Sequence, residues 1–299
     1  MSSSKNRTES NSETIKRKKK QSNFVAVWKR LKKNKAAMLG LGLLIVLVVV
    51  AIFADFIAPH GYNDQMLINR LQRPSAEFWL GTDSYGRCIL SRIIYGSRVS
   101  LQVGFIAVGI GVFFGGILGS ISGFYGKHLD NFIMRCMDVL LAIPNIIMAI
   151  AIVASLGPGL RNVMIAVGIG TIPGYARIVR ASVLTIRDQE YVEAAKSVGA
   201  SDFRIILKHI IPNSMAPIIV QATLGVAIAI LAAAGLSFIG LGIQPPAPEW
   251  GAMLSGGRQV LRDHPHVTIF PGLAIMITIF ALNLLGDGLR DALDPKLKD

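Results

Sequence analysis

Residues 191–212 read YVEAAKSVGASDFRIILKHIIP, a polar island between two long apolar runs. The pattern predicts two short helices joined at an elbow. Asp188 is placed to cap the first. Gly199 is placed to end it, because glycine adopts the left-handed conformation of a helix terminus at little cost. Ser201 is placed to cap the second, and Pro212 limits how far that helix runs undisturbed. Ala194 and Ala195 would let another surface approach the first helix closely. Glu193 and Lys196 stand at i,i+3 and can pair on it. Taken alone, the stretch reads as a solvated loop carrying that pair.

What surrounds it makes the loop part of a membrane protein. The chain has 299 residues, 52% hydrophobic and only 16% charged, with mean hydropathy +0.51. That composition belongs to the membrane class. The formal charge of +13 raises the question of nucleic acid, but the positive residues crowd into the first 35 positions. No zinc-finger spacing or aromatic-rich basic groove accompanies them, so no nucleic-acid partner is expected. Cys88 and Cys136 are too few and too far apart for a disulfide framework or a metal cluster.

An apolar run of about 20 residues suffices to cross a bilayer. Working outward from the loop, six spans are expected, near residues 36–58, 101–124, 132–156, 162–184, 213–242 and 267–286. Residues 1–23 are polar and basic and are expected to form a disordered cytoplasmic tail, with 24–299 as the transmembrane domain. Basic residues near span ends set orientation. With both termini in the cytoplasm, every lysine falls on the cytoplasmic side, and the loop 187–212 does too. Lipid is thus a partner, and the protein is expected to be a multi-pass component of a bacterial or archaeal cell membrane. Cys88 should then lie outside and Cys136 near the cytoplasmic face, a difference open to an impermeant thiol reagent.

Gly111, Gly115, Gly119 and Gly123 form an i+4 ladder in the second span, which suits close helix packing within the subunit. Pro173-Gly174 suggests a kink in the fourth span, and Arg135 and Asp138 can pair at i,i+3 at the start of the third. The outer loop 59–99 ends in an amphipathic stretch with Ile89, Ile93 and Ile94 apolar and Arg87, Arg92 and Arg98 polar. That pattern suits a helix lying at the outer interface. From Gly242 a Pro- and Gly-rich segment should form a non-helical cap followed by a short helix. His264 and His266 flank a proline, a weak basis for a metal site. No P-loop pattern, nucleophile constellation or dinucleotide turn is present, so no catalytic, cofactor or metal site is expected.

The chain resembles the dipeptide/oligopeptide-type ABC importer permeases, as the second permease of the pair. The resemblance rests on LGTDxxGR from Leu80, GxRxSL from Gly96, GFYG at Gly123, MDVLLAIP at Met137 and GYARIVR at Gly174. It continues through the EAA loop, LSFIGLG at Leu236, PPAPEWG at Pro245 and NLLGDGLRDALDP at Asn283. It departs at Cys88, where such permeases commonly carry Asp, and at His209, where the wider EAA pattern is apolar. The resemblance implies an all-α, type I ABC importer permease fold. It implies coupling to ATPases through Glu193, Ala194, Ala195 and Gly199. The partners implied are a homologous second permease, two cytoplasmic ABC ATPases and an extracytoplasmic substrate-binding protein. The implied cargo is dipeptides or oligopeptides, with nickel, a metal chelate or glutathione as alternatives. A secondary transporter is the remote alternative, disfavoured because charges cluster at span ends and no internal repeat is evident.

Overall fold

The computed structural model describes residues 23–294. The basic tail and Lys296 and Lys298 lie outside the described residues, so the expectation of disorder for the tail falls there too. In chain order the helices are α1 (Asn23–Leu31), α2 (Lys35–Ile52), α3 (Ala54–Ile57) and α4 (Ile89–Tyr125). Then come α5 (Lys127–Ala142), α6 (Asn145–Leu156), α7 (Leu160–Ile186) and the short α8 (Glu190–Ser197) and α9 (Asp202–Ile205). The chain ends with α10 (Ile211–Phe238), α11 (Trp250–Gly257) and α12 (His266–Leu293). β-pairing is limited, among the described residues, to one isolated antiparallel bridge between Thr82 and Cys88.

Among the described residues, five helical segments are long and apolar enough to cross a membrane: α2, α4, α7, the run from α9 through α10, and α12. The expected third span is not straight. It divides into α5 and α6, bent by 86°. Ile143 is extended, with φ −91° and ψ 124°, and Pro144 follows it. A proline forces its predecessor out of the helical region and offers no N–H to continue the ladder, so the helix must stop there.

The second span also differs from expectation. The outer amphipathic stretch does not lie along the interface; it is the first part of α4, which runs 37 residues without a break. At 1.5 Å per residue that helix is about 55 Å long and overshoots a hydrocarbon core of about 30 Å. Its arginines are not a solvated face. Arg87 and Arg92 are 7% and 3% exposed, and Arg98 bonds the carbonyls of Ala51 and Ile52 and the Asp55 carboxylate. Cys88 is buried and Cys136 exposed, so a thiol reagent would not rank the two by side of the membrane.

The glycine ladder packs α4 onto α7. A Cβ at Gly115 would stand 2.7 Å from the Ile172 carbonyl oxygen, and one at Gly123 would stand 2.8 Å from Val183 Cβ. Gly111 and Gly119 meet Thr171 and Ala176 in the same way. Only hydrogen fits, so the two backbones touch. Pro173 lies inside α7, which continues through it. Asp138 pairs with Arg177 of α7 at 2.6 Å rather than with Arg135.

Both ends of the described chain lie at one face of the bundle. Leu31 and Ala37 pack with Ala292 near the end of α12. The C-terminal ends of α7 and α12 and the start of α10 meet around a cleft of about 640 Å³ at that same face. Lys196, over the Phe124 ring, and Lys127, after Gly126, sit there too.

Candidate functional site

The polar island of residues 187–212 projects from this face as a hairpin of two short helices. The N-cap of α8 is Gln189 rather than Asp188, and neither Gln189 nor Ser201 makes a side-chain capping bond. The elbow has the expected form: Gly199 sits at φ +79°, its amide donating to the Lys196 carbonyl oxygen at 2.9 Å. A side chain at φ > 0 crowds the backbone, which is why glycine stands there. No atom lies within 4 Å of a Cβ placed on it, so the elbow has open space around it.

The second helix does not stop before Pro212. Residues Ile206–Ile210 form a π-turn that leads directly into α10. A π-turn is a widened helical turn, common at functional sites. Here it precedes a proline that has no N–H to donate. The second helix of the hairpin, the π-turn and α10 therefore run on as one continuous helix.

The hairpin has two faces. Val192, Ile205 and Ile210 are wholly buried, packed on Val179 and Val183 of α7 and Ile218 of α10. Ala195 lies partly within this inner cluster, so it supports the hairpin more than it offers a bare contact. The outer face carries Val198 at 84% and Phe203 at 73% exposure, with Tyr191 and Leu207 also exposed. Glu193, Ala194 and Gly199 are exposed beside them. Several large apolar side chains in contiguous exposure mark an interaction surface.

Side-chain bonds fasten the hairpin to the bundle. Arg187 Nη1 donates to the Gly123 carbonyl oxygen at 2.9 Å. The Lys196 ammonium lies 5.6 Å from the centre of the Phe124 ring, within cation–π reach. That contact replaces the expected pair with Glu193; among the described residues no ion pair joins the two. Tyr191 and His209 bring their rings to 6.3 Å across the hairpin. A few turns inward, Asp130 accepts from Arg180 and from Ser122, tying α5, α7 and α4 together. Sequence reading missed this clasp, because Asp130 and Arg180 are 50 residues apart.

A bundle of long apolar helices with a two-helix projection at one face is the architecture of a multi-pass membrane protein. Residues 115–299 match the family described as binding-protein-dependent transport system inner membrane component. Residues 22–74 match the N-terminal transmembrane domain of oligopeptide transport permease C. The chain is 52% identical over 271 residues to the dipeptide transport system permease protein of Alkalihalophilus pseudofirmus, covering 91% of this chain and 89% of that one. It is 48% identical over 272 residues to the glutathione transport system permease protein of Shigella sonnei, covering 91% and 90%. Among solved structures it resembles a chain of the MetNI methionine ABC transporter in an inward-facing form. There the TM-score is 0.57 at 19% identity, over 69% of this chain and 98% of that one. An amino acid ABC transporter gives a TM-score of 0.52 at 18% identity, over 68% and 94%. The chain belongs to the binding-protein-dependent transport system inner membrane components, and its fold is that of the type I ABC importer permeases.

Proposed function

We propose that this permease forms half of the translocation pathway of an ATP-driven importer of dipeptides or oligopeptides. A second, homologous permease supplies the other half. Two cytoplasmic ATPases and an extracytoplasmic binding protein complete the assembly. The observation that carries this reading is the exposed apolar rim of the hairpin, Val198 and Phe203 about the Gly199 elbow. A projecting helix whose inner face is fully packed and whose outer face is apolar suits a groove in a partner.

The continuity of the helix supports this coupling. Because α9, the π-turn and α10 run on without a loop, a displacement of the hairpin is delivered to α10 as motion of a rod. Arg187 and Lys196 carry the same displacement to the end of α4. Nucleotide binding draws the ATPases together, the hairpins follow, and the bundles rock from inward- to outward-open. Moving such an equilibrium from 1:99 to 99:1 takes about 5.5 kcal/mol of differential binding. Two nucleotide sites can supply that.

The dipeptide and glutathione permeases named above support a peptide cargo, since glutathione is itself a small peptide. The test is uptake by the complete transporter reconstituted in liposomes with its cognate binding protein. Labelled dipeptide should accumulate only with ATP inside and binding protein outside. Accumulation without ATP would overturn the importer reading. ATP-dependent uptake of nickel, with none of dipeptide or glutathione, would overturn the cargo alone.

A further inference from the structure

At the end of α4 opposite the coupling hairpin lies a small pocket built from three charged side chains. Asp83 bonds Arg87 Nε at 2.7 Å and stands 3.7 Å from Arg92 Nε. Among the described residues Asp83 is the only carboxylate lining the pocket, and the two guanidinium groups leave that lining one positive charge in excess. All three residues are more than nine-tenths buried. Arg92 Nη1 donates to the carbonyl oxygens of Tyr62 at 2.9 Å and Pro246 at 3.3 Å, whereas its Nε is buried without a hydrogen-bond partner. An uncompensated buried charge is costly, and a buried donor left unpaired costs a further part of its desolvation.

The pocket is about 120 Å³, well under the roughly 300 Å³ at which pockets for small organic ligands begin. A whole peptide does not fit, but a side-chain carboxylate does. A carboxylate is also a group that guanidinium binds through paired charge-assisted bonds. Gly256 of α11 lies at the rim, exposed, with no atom within 4 Å of a Cβ placed on it.

We propose that this pocket is a docking site for one Asp or Glu side chain of the extracytoplasmic binding protein, which seats against Arg87 and Arg92. The proposal rests on the importer reading above. The outer face is the one a periplasmic or surface-tethered receptor meets, and the excess positive charge of the pocket is complementary to an acidic side chain.

The test places a tethered competitor at the rim. The assembled transporter is prepared in nanodiscs as wild type, Gly256→Asp and Gly256→Asn, with co-elution of all subunits as the check on assembly. Its affinity for the purified cognate binding protein is measured with and without dipeptide. Gly256→Asp should weaken binding at least about tenfold with loaded and unloaded binding protein alike, and Gly256→Asn less than about threefold. Equal losses in both variants, or no loss in Gly256→Asp, would overturn the carboxylate site. A loss confined to the dipeptide-loaded form would move the carboxylate to the cargo and overturn the assignment to the receptor. A wild-type transporter that binds no receptor would instead overturn the importer reading.

Discussion

Arg180 clasps Asp130 through two hydrogen bonds, Nε to Oδ1 at 2.5 Å and Nη2 to Oδ2 at 2.6 Å. The Ser122 hydroxyl donates to the same carboxylate at 2.5 Å, so three helices converge on one side chain. Asp138 and Arg177 form a second α5–α7 pair at 2.6 Å, but both side chains are about half exposed. Burial separates the two. Asp130→Asn should destabilise the protein by about 1–3 kcal/mol, because the buried carboxylate that receives the Arg180 guanidinium and the Ser122 hydroxyl becomes a neutral amide with one acceptor oxygen. Asp138→Asn should cost less than about 1 kcal/mol. Thermal unfolding of the purified protein in detergent measures both. Equal losses would show that the Asp130 clasp contributes nothing special.

The glycine ladder gives a steric contrast within one helix. Gly115 meets the Ile172 carbonyl oxygen, whereas its neighbour Gly116 has nothing within 4 Å of an added Cβ. Gly115→Ala forces α4 and α7 apart and should destabilise by about 1–3 kcal/mol. Gly116→Ala should be neutral or stabilising by up to about 1 kcal/mol, from the helix propensity of alanine. The comparison is read from the two unfolding midpoints. A Gly115→Ala protein as stable as Gly116→Ala would contradict the backbone contact.

Fold class and ladder were legible because they are local patterns. Runs of apolar residues and an i+4 glycine repeat need no partner to be recognised. The bend at Pro144 was legible too, in Ile143-Pro144-Asn145, but hydropathy averaged over a span conceals a single proline. Arg87 and Arg92 resembled a polar helix face because periodicity cannot report what packs against it. Their burial comes from Pro246, Ala247 and α11, more than 150 residues later in the chain. The hairpin elbow was readable from Gly199 alone. The swap of Lys196 from Glu193 to Phe124 was not, since Phe124 belongs to a different helix.

Glu249 offers a prediction in pH. Its carboxyl caps α11, accepting from the Gly251 and Ala252 amides at 2.9 and 2.8 Å. Burial pushes its pKa above the ordinary value of 4.5, outweighing those bonds, which act in the other direction. The folded protein therefore holds this proton to higher pH than the unfolded chain does. The stabilisation from Glu249 is full below pH 4.5 and diminishes as pH rises through the window up to its folded value. Glu249→Gln retains one acceptor, loses the other and cannot ionise. It should lower stability by about 1 kcal/mol and remove this part of the pH slope. Unfolding midpoints of both proteins across the acid range test it, and an unchanged slope in the variant would refute it.

The last prediction separates strain from docking at Gly199. At φ +79° any Cβ costs about 1 kcal/mol, and the site is otherwise open, so Gly199→Ala should fold and retain most of its transport. Gly199→Asp carries the same strain and adds a carboxylate between Val198 and Phe203, the exposed apolar pair assigned to the ATPase groove. An unpaired charge in an apolar contact costs several times more than the strain does. Gly199→Asp and Glu193→Lys should therefore insert normally but lose ATPase on purification, or hydrolyse ATP without response to loaded receptor. Co-purification and receptor-stimulated hydrolysis are measured side by side for all three variants. If Gly199→Ala fails as badly as Gly199→Asp, the elbow matters for its shape and not for its surface. If Gly199→Asp and Glu193→Lys both retain ATPase and stimulation, the hairpin is not the docking element.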